Sequence, residues 1–110
     1  MVYKIISQKN VSIVAISGDI TRHDKELLEK CYKEAAEILE SRVLIILFKN
    51  VSMVEPITFR DLTMIQHDAR KKNMNLRVVG LSSSVKNTLS SGGVIRLAEI
   101  KNSLDEALAA

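Results

Sequence analysis

Two stretches near the start of the chain place apolar residues at a spacing that fits strands rather than a helix. Tyr3–Ser7 and Val11–Ser17 predict a pair of strands joined by a turn containing Gln8, Lys9 and Asn10. In the second, Val11, Ile13, Ala15 and Ser17 share one face, and Ser12, Val14, Ile16 and Gly18 the other. Apolar content on both faces predicts a strand covered at least partly on each side. From Arg22 to Ser41 the period changes. Leu27, Leu28, Cys31, Ala35, Ile38 and Leu39 form a stripe at helical spacing, opposite a face of Lys and Glu. Glu26 with Lys30, and Glu29 with Lys33, stand four apart in the order that supports a helix. Val43–Phe48 is an unbroken aliphatic run, as expected of a central strand buried on both faces.

Pro56 then pre-sets the chain for a turn or a helix start. Phe59, Leu62, Ile65, Gln66 and Ala69 trace a second amphipathic helix that ends near Asn73, and Leu76–Leu81 reads as a further strand. Ser82, Ser83 and Ser84 are N-cap candidates for a short helix carrying Val85 and Leu89 and stopped by Gly92-Gly93. Val94–Leu97 reads as a brief strand. Ser103 and Glu106 have capping-box spacing and open a last helix with Leu104, Ala107 and Leu108. A hairpin followed by alternating helices and strands predicts one α/β domain over residues 1–110, with a mixed four- to five-stranded sheet and helices mainly on one face. The hairpin is antiparallel in this scheme. The later strands pair in parallel through right-handed crossovers.

Length and composition agree with that picture. A chain of 110 residues, 46% apolar and 26% charged, can bury a single core without metals or disulfides. The longest apolar run is far shorter than the ~20 residues of a membrane span. Met1–Asn10 lacks the pattern of a secretory signal, and the single cysteine cannot form an internal disulfide, so a cytoplasmic setting is expected. The net charge of +3 is weak evidence for any partner. Without Trp, and with two Phe and two Tyr, the chain lacks the basic and aromatic surface of a nucleic-acid binder. Arg70-Lys71-Lys72 falls at an expected helix end, where cations complement exposed carbonyls.

Candidate chemistry is sparse. His23 and His67 are expected at an exposed helix start and on a solvated helix face, too far from one another and from Cys31 to make a metal site. Cys31 lies in the apolar stripe and reads as a small buried hydrophobe, not a nucleophile. Gly92-Gly93 lacks the spacing of a phosphate loop. Neither a catalytic group nor a cofactor is expected.

The junction Asn50-Val51-Ser52-Met53-Val54-Glu55-Pro56-Ile57-Thr58-Phe59 carries more information, because here the chain resembles the STAS family of sulfate transporter and anti-sigma factor antagonist domains. Ser17-Gly18-Asp19-Ile20 is similar to the family's strand followed by Gly, an acid and an aliphatic residue. Val43–Phe48 and Val51–Glu55 resemble the central strand leading to an Asp-Ser-Ser-Gly or Asp-Ser-x-Gly turn. Val78–Lys86 resembles the strand and Ser-Pro-x-Val-Lys/Arg helix start, and Gly92-Gly93-Val94 takes the place of Ser-Gly-Leu. The resemblance covers nearly the whole chain, with these motifs in order and in spacing.

In anti-sigma factor antagonists the second Ser of the turn accepts phosphate from a serine kinase that is also the anti-sigma factor. Ungapped, Glu55 takes the place of the Asp, Pro56 of the first Ser, Ile57 of the acceptor Ser and Thr58 of the Gly. Thr21 stands where a second acid is usual. A shift of one residue would make Thr58 the acceptor, but would place Arg60 where the first buried aliphatic belongs. The ungapped register instead places Phe59 and Leu62 at core positions. Ile57 has no hydroxyl and cannot accept phosphate. Pro56 and Thr58 read either as simple helix-start punctuation with Ile57 packed at the sheet edge, or as part of a docking patch.

The resemblance implies a non-catalytic protein-interaction module in bacterial signalling, similar to anti-sigma factor antagonists that regulate sigma factor activity. Its implied interaction surface is Glu55, Pro56, Ile57, Thr58 and Arg60. The implied partner is an anti-sigma factor, a serine-kinase-type ATPase or another STAS protein, a second copy included. The alternative is a sensor of a nucleotide or lipid-linked ligand, or a regulatory domain associated with transport. Neither reading calls for nucleic acid or membrane insertion.

Overall fold

The computed structural model describes residues 1–8, 10–37 and 42–109. Its strands are β1 (Val2–Gln8), β2 (Val11–Ser17), β3 (Val43–Lys49), β4 (Asn75–Val79) and β5 (Ile100–Lys101), and its helices are α1 (Lys25–Glu37), α2 (Phe59–Lys71), α3 (Ser83–Ser91) and α4 (Leu104–Ala109). The strands form one mixed sheet in the order β1-β2-β3-β4-β5. β1 and β2 are antiparallel, and each later neighbour is parallel to the strand before it.

Side-chain alternation along the strands sets up two apolar layers. Ile5, Val14, Ile46, Val78 and Ile100 are neighbours in one row across all five strands; the middle three belong to the larger core, and the half-buried Ile5 and Ile100 pack against it. Leu28, Cys31 and Ala35 of α1, Leu62 of α2 and Leu89 of α3 pack on that side. On the other face, Ile13, Ile45 and Val79 meet Ala107 of α4 in a smaller cluster. Helices thus cover mainly one face, as the patterning predicts. The expected burial of Leu28 and Cys31 is observed, at 3% and 4% exposure.

Several boundaries differ from expectation. The helix anticipated from Arg22 begins with a 3-10 turn over Arg22–Asp24, capped by Thr21, before α1 proper. Ile38, Leu39 and Ser41 at its expected end, and Lys9 in the hairpin turn, lie outside the described residues, as do the side chains of Ile65 and Ala69. Among the described residues, the ion pair within α1 joins Lys30 to Glu34 at 3.8 Å rather than Glu26 to Lys30 or Glu29 to Lys33. β4 stops at Val79, because Gly80 adopts φ +84° and lies so close to β3 that a Cβ there would sit 2.3 Å from the Phe48 carbonyl oxygen. Of the three serine cap candidates, Ser82 takes the role by accepting from the Val85 N–H at 3.3 Å.

The strand expected at Val94–Leu97 is not formed. Val94 and Ile95 are buried in the larger core, Leu97–Glu99 is a 3-10 turn, and the fifth strand is Ile100–Lys101. After Gly92-Gly93 the apolar pair is drawn inward to seal the core. Glu99, held by Arg70 at 2.7 Å, then turns the chain so that Ile100 lies beside Val78. Apolar, β-branched residues read as strand whichever kind of burial they serve, so the local pattern could not separate the two.

Candidate functional site

The surface of interest forms where two loops meet at the C-terminal ends of β2 and β3. Asp19 accepts three hydrogen bonds at one oxygen, from the Ser52 N–H (3.1 Å), the Ser52 hydroxyl (2.8 Å) and the Met53 N–H (3.0 Å). Ser52, first through its hydroxyl and then through its N–H, holds the Asp19 carboxyl below the ordinary carboxylate range, against an opposing desolvation. Next along the chain, the Ile20 N–H donates to the Met53 carbonyl and the Glu55 N–H to the Ile20 carbonyl, at 3.0 and 2.8 Å. These bonds continue the parallel pairing of β2 and β3 past the strand ends as an Ile20–Val54 bridge, with both side chains buried.

Glu55 is gripped in turn. Its carboxylate accepts from the Arg22 N–H at 3.0 Å and pairs with the Arg22 guanidinium at 3.0 Å. Pro56 opens a 3-10 turn over Pro56–Thr58 that leads into α2, as its fixed φ favours at a helix start. Thr58 is buried at 1% exposure, with its hydroxyl donating to the Glu55 carbonyl at 2.7 Å. The Ile57 side chain points the other way and is 64% exposed. An isoleucine packed at the sheet edge is therefore not what the structure shows.

Around Ile57 the surface carries charges of both signs. A depression of about 220 Å3 beside it is lined by Arg22, Lys25, Thr58, Arg60 and Asp61. Lys25 approaches Asp61 to 3.9 Å across the starts of α1 and α2, while Arg60 is exposed and has no ion pair among the described residues. Phe59, expected in the core, is half-buried: it packs against the core, and its ring lies so close to Gly92 that a Cβ there would approach within 2.9 Å.

The five sequence-predicted residues therefore come together, though unequally. Glu55 and Thr58 shape the turn from within, whereas Pro56, Ile57 and Arg60 present it to solvent. Sequence reasoning missed Arg22 and Lys25 as members of this surface, and Asp19 and Ser52 as its supports. Asp19 was visible only as part of a motif, and nothing local ties it to a serine 33 residues away.

The other candidates lie apart. His23 and His67 are exposed on separate helical segments, and the described residues hold no group of metal-ligating side chains. Cys31 is buried, and desolvation pushes its thiol up to about 12. No described helix is long and apolar enough to cross a membrane.

The family model for the STAS domain matches residues 3–107. The chain belongs to the STAS family. Solved structures of the same fold include the anti-sigma factor antagonist SpoIIAA in its unphosphorylated form, at 12% identity and a TM-score of 0.73, covering 98% of this chain and 93% of that one. RsbS of Moorella thermoacetica matches at 18% identity and a TM-score of 0.79, covering 97% and 92%. The murine anion transporter Slc26a9 matches at 19% identity and a TM-score of 0.80 over 91% of this chain. This STAS domain spans only 17% of that transporter's length. At such identities the likeness shows the shared fold. A comparison with curated protein sequences returns no significant match.

Proposed function

We propose that this STAS domain is a non-catalytic protein-interaction module in bacterial signalling, acting as an anti-sigma factor antagonist does through the surface of Glu55, Pro56, Ile57, Thr58 and Arg60. The observation that carries this reading is the exposure of Ile57, 64%, on a turn held in place by Pro56 and by the Arg22–Glu55 pair. An aliphatic side chain so exposed adds little to folding but can anchor an interface. Arg60 beside it, exposed and without an ion pair among the described residues, favours a partner with an apolar pocket and an acidic rim. Such partners are an anti-sigma factor, a serine-kinase-type ATPase or another STAS protein, in a cytoplasmic setting. With no acceptor oxygen at Ile57, phosphorylation at the usual position would not release the partner.

The test is calorimetry of the domain and its Ile57→Asp variant against a serine-kinase-type anti-sigma factor that binds the unaltered protein. The thermal midpoint should stay nearly unchanged while affinity falls at least tenfold, about 1.4 kcal/mol. Equal affinity at equal stability would remove the turn from the interface and the reading with it.

The likeness to the Slc26a9 transporter supports a second reading, a regulatory or ligand-sensing domain associated with transport. Native mass spectrometry of freshly purified protein separates the two: a retained small molecule favours the sensor, a clean mass the interaction module.

A further inference from the structure

One charged residue lies inside an otherwise apolar row on the α4 side of the sheet. Ile6, Ile13, Ile45 and Arg77 are neighbours across β1 to β4, and Arg77 is only 7% exposed. Its guanidinium donates to the carbonyl of Ala107 in α4. A carbonyl dipole does not neutralise a full charge, and no carboxylate pairs with Arg77 among the described residues. A guanidinium withdrawn from water without a counter-charge is strongly unfavourable, and an anion at its side would relieve that cost.

Arg77 also lines a cleft of about 420 Å3 at the edge of the sheet. β5 pairs only with Val78 and Val79, which leaves the edge of β4 at Asn75–Arg77 facing this cleft, with the Arg96–Lys101 segment lining it as well. Arg70 lines it too, but Glu99 neutralises that side chain through two hydrogen bonds of 3.0 and 2.7 Å. Arg77, Arg96 and Lys101 then remain around one cleft without an ion pair among the described residues. The cleft shares no residue with the depression beside Ile57.

We propose that this cleft binds a phosphate-class oxyanion, free or carried on a small molecule. Three cations match an ion of two or more negative charges better than a single carboxylate. The planar fork of Arg96 suits a phosphoryl group's oxygens, Arg77 adds the N–H groups that Ala107 does not take, and Lys101 adds a third donor group. The volume exceeds that of free phosphate and leaves room for an attached group. Binding would supply the counter-charge that no described residue gives Arg77 and brace α4 against β4 through the same side chain.

The experiment titrates the intact protein with inorganic phosphate, pyrophosphate and glycerol 3-phosphate at constant ionic strength, using sodium chloride as the control. Saturable amide shifts by NMR centred on Arg77, Arg96 and Lys101, with a raised thermal midpoint, are expected for at least one phosphate probe and not for chloride. Strongest binding by the ester would identify a phosphorylated small molecule, and strongest binding by phosphate or pyrophosphate the free ion. An R96Q/K101Q double variant, altered at positions outside the core, should keep its ligand-free midpoint and lose at least tenfold in affinity. Shifts that follow ionic strength whatever the anion, or undiminished affinity in a folded double variant, would overturn the proposal.

Discussion

Asp19 and Ser52 stand 33 residues apart in the chain and are joined twice, the same carboxylate oxygen accepting from the Ser52 N–H at 3.1 Å and from its hydroxyl at 2.8 Å. The contact ties the loop after β2 to the loop that delivers Ile57. It adds charge-assisted hydrogen bonds to the main-chain pairing of Ile20 with Val54. The turn is thus presented from a braced base.

That bond should make the stability of the domain depend on pH in acid. The hydrogen bonds from Ser52 depress the folded-state pKa of Asp19, so its contribution to stability is present above the unfolded value, near 4, and is lost as pH falls through the lower folded value. Asp19→Asn should flatten the dependence of the thermal midpoint on pH below about 4. An unchanged acid slope would show that Asp19 carries no such linkage.

Phosphorylation should fail at this turn. Ile57 has no acceptor oxygen, and the Thr58 hydroxyl is buried and donates to the Glu55 carbonyl at 2.7 Å. Incubation with a serine kinase of the anti-sigma type and ATP should leave both positions unmodified on peptide mapping. Near-stoichiometric phosphate on Thr58 would mean that the turn opens to the kinase, and would restore the ordinary switch.

Leu28 and Ile57 should respond in opposite ways to truncation. Leu28 is 3% exposed against the helix-side core, so Leu28→Ala should cost about 2–5 kcal/mol in chemical denaturation. Ile57→Ala should change stability by less than about 0.5 kcal/mol, as at an exposed site. A reversed order would place the Ile57 side chain inside.

Gly80→Ala should also destabilise strongly, for two reasons that act together. The residue has φ +84°, and its added Cβ would meet the Phe48 carbonyl oxygen at 2.3 Å. The backbone strain alone is worth about 1–3 kcal/mol, and the clash forces β3 and β4 apart. Gly93→Ala is the control, since φ there is +73° with no atom in the way. If the two variants lost equal stability in a melt, close approach to β3 would not matter.

Much of this domain was legible along the chain because strand and helix periods are local properties. The alternation in Val11–Ser17, the unbroken run before Lys49 and the stripe through Leu28 and Cys31 each follow from which faces must be buried. The motifs at Gly18-Asp19 and Val51–Glu55 carried the family and marked the turn. What the chain could not display was the destination of side chains whose partners are remote. Val94 and Ile95 read as strand but seal the core, because apolar residues serve either use. Arg77 looked like any polar residue in a strand until α4 folded over it. Ile57 could have been packed or exposed, and its exposure follows from a turn that Arg22 holds through Glu55 and Asp19 supports through Ser52. Burial of a periodic face depends on neighbours three or four residues away, whereas the aim of a loop depends on hydrogen bonds from segments more than thirty residues off, which exist only once the sheet has formed.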